Sequence, residues 1–192
     1  MNQESTERRF SERQLYTLAE TDKLLLVMVG LPARGKSFIS KKVNNFFQWK
    51  GTKCQVFNVG ELRRIQFSDH TSQTDEKEQL TSPHHTKSAM QDASFFDPQN
   101  TQAIQTRESL ADHAMQQILH FFQVDHGEVA ILDATNSSKS RRKRIMQFFL
   151  QQHQILPDMH VVFIESICTN EAVLNANIMQ KVTNSPDYKG NV

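Results

Sequence analysis

A doubly wound α/β fold, with a parallel sheet and helices on both faces, is what this sequence predicts, and three observations predict it. Short, unbroken apolar runs alternate with longer stretches of helical periodicity. The first apolar run leads straight into a glycine-rich string, "GLPARGKS" (30–37), and another ends in an aspartate, Asp133. Unbroken apolar runs belong to strands buried on both faces, as in a parallel sheet. Alternation with helices supplies the crossovers such a sheet needs.

Taken in order, residues 1–23 form a polar arm of mixed charge, without the apolar centre of a signal peptide. "LLLVMV" (24–29) predicts the first strand. A helix is expected over 36–49, with Ile39, Val43, Phe46 and Phe47 at helical spacing and Gly51 as its stop. "CQVFN" (54–58) predicts a second strand, followed by "VGELRR". Residues 68–92 are rich in Ser, Thr, Asp, Gln and Lys and read as a mobile loop or insertion. Helical spacing returns over 101–122 through Ile104, Leu110, Ala114, Ile118 and Phe121. "EVAILD" (128–133) is the third strand, 138–152 a helix, "HVVFIES" (160–166) the fourth strand, and a further helix starts near Asn170. The phenylalanine pairs Phe46-Phe47, Phe121-Phe122 and Phe148-Phe149 are assigned to the core. Residues 24–192 are expected to be one domain.

Composition narrows the partners. Lys plus Arg (22) nearly balances Asp plus Glu (21), so no overall field calls for nucleic acid or a membrane surface. The basic residues cluster locally, at Arg63-Arg64 and in "KSRRKR" (139–144), which suits a small anionic ligand. No apolar run approaches the roughly 20 residues that span a bilayer. Two cysteines, Cys54 and Cys168, make no disulfide framework, and a reduced, cytoplasmic setting is expected. His84-His85 lie in the polar segment without spaced partners, so no metal reading follows from the eight histidines.

The string at 30–37 fits GxxxxGK[ST], a phosphate cradle of the P-loop NTPase type. Its glycines let the backbone curl around anionic oxygens, and the helix that begins there adds its positive end. Lys36 supplies a mobile charge for the β and γ phosphates, and Ser37 a hydroxyl for Mg²⁺. Asp133, at the end of an apolar strand, stands where a carboxylate would hold the metal. ATP and Mg²⁺ are therefore the expected cofactors. Loops after the strands of such a sheet converge on one edge. Arg63, Arg64, Arg107 and Arg141 are candidates there for a second anionic substrate, because guanidinium groups grip phosphate through two hydrogen bonds.

"VMVGLPARGKSFIS", "VFNVGELRR", "GEVAILDATN", "VFIESIC" and "NSPDY" together resemble the kinase half of the 6-phosphofructo-2-kinase/fructose-2,6-bisphosphatase family. The resemblance implies transfer of the ATP γ-phosphate to the 2-hydroxyl of fructose 6-phosphate. It implies ATP contacts at Gly30, Leu31, Pro32, Ala33, Arg34, Gly35, Lys36, Ser37, Phe38 and Asn177. It assigns sugar-phosphate contacts to Arg63, Arg107, Thr135 and Arg141, catalytic roles to Lys36, Asp133 and Cys168, and a homodimer to the assembly. Three departures accompany it. About twenty surplus residues fall within 68–92. The family's substrate lysine corresponds to Val182, with Lys181 one residue earlier, a step of about 100° on a helix, so that Lys181 need not reach the site. The family's kinase domain continues beyond the position of Val192 and joins a phosphatase domain, so the chain is expected to be incomplete at its C-terminal end. The rival expectations are a catalytically silent ATP-binding fragment and another small-molecule P-loop kinase.

Overall fold

A computed structural model describes residues 22–69 and 99–184. The elements are β1 (Lys23–Val29), α1 (Lys36–Trp49), β2 (Cys54–Asn58), α2 (Val59–Asp69), α3 (Thr101–Gln123), β3 (Val129–Asp133), α4 (Lys139–Leu150), β4 (Met159–Glu165) and α5 (Glu171–Asn184). The polar arm, apart from Asp22 and Lys23, lies outside the described residues, as do most of the 68–92 insertion and the "SPDY" stretch.

Four parallel strands form the sheet in the order β2-β3-β1-β4. β1 pairs with β3 on one side and with β4 along its whole length on the other. The chain leaves β1 toward β2 but leaves β3 toward β4. The two central strands therefore send their connections in opposite directions, and the crevice at their carboxyl ends is the place where such sheets bind ligands.

Period-two alternation divides the sheet into two apolar faces. Leu25, Val27, Ala130, Leu132 and Phe57 meet Ala114, Met115, Ile118, Phe121 and Phe122 of α3 and Ile145 and Phe149 of α4. The intervening residues, Leu26, Met28, Val129 and Ile131, meet Ile39, Val43 and Phe47 of α1. Gly127, at the turn into β3, lies so close to Phe121 that a Cβ there would overlap the ring.

Two expectations need correction. Phe46 is not core. Ile39, Val43 and Phe47 repeat at four-residue intervals and share a stripe, whereas Phe46 sits about 100° round the helix. It is half exposed, edge-on to Phe47 and under the Lys50 ammonium. Secondly, "VGELRR" opens a helix, α2, that runs to Asp69, two residues into the stretch read as a loop. Its start is set by Asn58, whose side-chain oxygen accepts the Glu61 N–H at 3.0 Å. Asn followed three residues later by Glu is a helix-start signature.

Candidate active site

The cradle grows out of β1. Gly30 has φ 140°, and an added Cβ would lie 2.7 Å from the carbonyl oxygen of Ser166. Any side chain there is excluded by backbone as well as by conformation. Ala33 (φ 62°) and Gly35 (φ 86°) complete the curl in the left-handed region. Neighbouring segments hold it. The Gly30 N–H donates to the Thr135 carbonyl at 2.9 Å, and the Ser166 N–H to the Val29 carbonyl at 2.8 Å. The Ser166 hydroxyl donates to the Arg34 carbonyl, and the Asn177 amide to the Ala33 carbonyl at 2.9 Å.

The five helix starts among the described residues differ in one respect. Asn58, Asn100, Ser138 and Asn170 each accept a backbone N–H of the helix that follows, capping α2, α3, α4 and α5. The start of α1 is Gly35, with no side-chain cap and no acidic residue in the first turn. Its first N–H groups and its dipole are left for an outside anion. An ideal Cβ at Gly35 would meet nothing within 4 Å, so the backbone there borders open space. This donor set fits the phosphates of a nucleotide.

Lys36 opens α1 and is largely buried, its Nζ donating to the Leu31 carbonyl at 2.7 Å. Burial first, then the like charge of Lys181, lowers its pKa below the ordinary lysine range, while Asp133 acts in the opposite sense. Lys181, one residue off the expected lysine position, thus bears on Lys36 through its charge. It lies four residues beyond Asn177, on the same face of α5, and Asn177 binds the loop itself.

Asp133 ends β3 and is 3% exposed. Its Oδ2 accepts the Asn58 side-chain amide at 2.7 Å, across the pairing of Asn58 with Asp133 in the sheet. Asn58 thus caps α2 with its oxygen and orients Asp133 with its nitrogen. Sequence reading did not single it out, although it stands in the quoted "FNVG". Asn136, also not anticipated, is buried with φ 44°, and its amide donates to the Met28 carbonyl at 2.9 Å, tying the segment after β3 to β1.

The structure brings several of the expected residues together. The Asp133 carboxylate acts on the Lys36 ammonium, the Thr135 backbone holds Gly30, and Asn177 holds Ala33. Ser37 and Phe38 are exposed at the start of α1, and the Thr135 side chain is exposed beyond β3. Arg141 reaches α3, where its Nη2 approaches the Arg107 carbonyl at 3.4 Å and Glu108 Oε1 at 2.5 Å. Arg63 is buried on α2, which packs against α3. Cys168 is half buried three residues past β4, with its Sγ 3.9 Å from the Asn170 carbonyl. No described contact links it to Lys36 or Asp133.

A kinase candidate from Chloroflexus aurantiacus has the same fold, with a TM-score of 0.53 at 15% identity over 85% of this chain and 68% of that one. The chain is 39% identical over 168 residues to a probable 6-phosphofructo-2-kinase of Schizosaccharomyces pombe, covering 88% of this chain and 22% of the relative. It is 39% identical over 166 residues to a Caenorhabditis elegans 6-phosphofructo-2-kinase/fructose-2,6-bisphosphatase, covering 86% of this chain and 32% of the relative. The chain thus spans about a fifth to a third of the length of these relatives. The family model described as 6-phosphofructo-2-kinase matches residues 11–192, a stretch that takes in the cradle, Asp133 and all the arginines weighed above, and the chain belongs to that family.

Proposed function

We propose that this chain is a small-molecule kinase that transfers the γ-phosphate of ATP to the 2-hydroxyl of fructose 6-phosphate, giving fructose 2,6-bisphosphate. The observation that carries the reading is the pairing of an uncapped α1 start and its Lys36 with the buried Asp133 at the ends of β1 and β3. The like charge of Lys181 bears on Lys36. A polyanion bound at the cradle would relieve that repulsion.

In this reading the backbone from Gly30 to Phe38, with Asn177 bracing it, receives the phosphates of ATP. Ser37 and Asp133 would hold Mg²⁺, which supplies neutralising charge to the phosphate oxygens. Lys36 steadies negative charge on the transferred group. Arg63, Arg107, Thr135 and Arg141 grip and aim the sugar phosphate, so that its 2-hydroxyl faces the γ-phosphate. Phosphoryl transfer requires mainly such positioning and charge stabilisation. Cys168 is proposed to line the same site. Residues 24–192 form one P-loop domain in this account. No described helix is long and apolar enough to cross a membrane. The setting proposed is cytoplasmic, the partners are small molecules rather than nucleic acid or lipid, and the assembly is a homodimer.

The test is to incubate the purified chain with Mg·ATP and fructose 6-phosphate and to analyse products by mass spectrometry, with Lys36→Met as control. Fructose 2,6-bisphosphate that disappears in the mutant supports the reading. ATP binding with no product would make the chain a nucleotide-binding module instead. Turnover of a different acceptor would make it another small-molecule kinase.

A further inference from the structure

The arginines of α4 do not face solvent alone. Glu108, one residue after Arg107 on α3, accepts from Arg141 through Oε1 at 2.5 Å and from Arg144 through Oε2 at 2.6 Å. Arg144 also pairs with Asp112, one helical turn further along α3. Arg141 uses only Nη2 in its contacts, with Glu108 and with the Arg107 carbonyl, while its Nε is buried without a partner.

A guanidinium has two forks that can take a phosphate side by side, Nε with Nη2 and Nη1 with Nη2. Nη2 is common to both. A phosphate can engage Arg141 through two hydrogen bonds only by displacing or sharing the groups already on Nη2. Displacement would also satisfy Nε, a buried donor whose unmade bond carries a cost. The Glu108 carboxylate would not be stranded, because Arg144 remains on its other oxygen.

We propose that Glu108 is a placeholder anion at the acceptor site, occupying Arg141 until an acceptor phosphate takes its place, with Arg144 keeping Glu108 paired through the exchange. This deepens the reading of Arg141 as a sugar-phosphate residue and rests on it. Glu108 touches no substrate in this account. It acts through Arg141 and sets how tightly the acceptor, but not ATP, is held.

Isothermal titration of wild type, Glu108→Gln and Glu108→Asp with fructose 6-phosphate, inorganic phosphate and ATP tests it. Glu108→Gln is expected to tighten both fructose 6-phosphate and inorganic phosphate about twofold to fivefold, the range of a modest charge pair, and to leave ATP unchanged. Glu108→Asp keeps the charge but withdraws it by one methylene, and is expected to shift both probes the same way. Unchanged or weaker binding in Glu108→Gln overturns the proposal. So does tightening in Glu108→Gln alone, which would report a general field rather than an occupied fork. Absence of binding by either probe to all three proteins overturns it as well. If inorganic phosphate tightens as expected while fructose 6-phosphate binds no better than inorganic phosphate, the placeholder stands and the sugar-phosphate reading falls.

Discussion

The starts of α1 and α4 lie at the same edge of the sheet, following the two central strands, yet they meet charge in opposite ways. At α1 the donors are backbone N–H groups, no side chain caps them, and Lys36 is largely buried. At α4 Ser138 caps the helix, and the donors are long arginine side chains already engaged by Glu108 and Asp112 on α3. The first arrangement is fixed before any ligand arrives, because its geometry is set by Gly30, Ala33 and Gly35 and by hydrogen bonds from three other segments. The second is a set of side-chain ion pairs, in which Arg141 is mostly buried and Arg144 about half exposed, the Arg144 pairs worth about 0–1 kcal/mol each. The fixed half suits a phosphate chain common to many enzymes, and the exchangeable half suits discrimination of one acceptor.

The largest effect expected from breaking this contrast is at the fixed end. Lys36→Met should lower ATP turnover about 10²–10³-fold or more, the usual consequence of removing one preorganised charge, while the thermal transition persists. A mutant with wild-type turnover would take the cradle out of the mechanism. On the other side, Arg107→Ala should weaken fructose 6-phosphate about tenfold or more, as expected for a charged hydrogen bond, and leave ATP affinity nearly intact. Equal loss of both ligands would make Arg107 structural and blur the division between the two regions.

Asn58 links the two ways of starting a helix, since it both caps α2 and orients Asp133. Asn58→Ala should cost about 1–3 kcal/mol in chemical denaturation, against about 1 kcal/mol for Ser138→Ala, which loses a cap and an exposed hydroxyl contact with Ser140. Equal costs would mean that the bond to Asp133 adds nothing. The smallest effect concerns the cysteines. Burial pushes the Cys54 thiol up from 9.0 to about 12. Its contribution to stability is complete below pH 9.0 and is lost as the pH rises toward 12. At pH 8 iodoacetamide should modify the half-buried Cys168 and spare Cys54 until the protein unfolds. Modification of both in the native state would contradict the burial of β2.

The same contrast explains what could be read from the sequence. The cradle was legible because everything that makes it, from the apolar run to the glycines and Lys36, lies within 24–37 and follows from local sterics. The order of strands and helices was legible for the same reason, with strand limits within one residue. α2 was missed because its signal is a cap and one turn of modest periodicity rather than an apolar stripe. Phe46 was misplaced because α1 meets the sheet with the single stripe Ile39, Val43 and Phe47, unlike α3, where Phe121 and its neighbour Phe122 are both buried. Arg107 and Arg141 could be named as candidates, but Glu108 could not. Its role depends on a contact across 33 residues of chain that no local pattern announces.

The position of β1 has a consequence for biosynthesis. It is made before the other described strands, but its neighbours are β3 and β4, and its last pairing, Val29 with Glu165, spans 136 residues. At about 5–20 residues per second, β1 waits roughly 7–27 s for that partner to be made. Until β3 is made the apolar β1 has both edges open, and until β4 is made it has one. β2, made in the meantime, cannot shield it, because β3 must come between them. The sheet gains its second central strand third and its β4 flank last, so β1, made before its partners, keeps an open edge until the end of β4 has been synthesised.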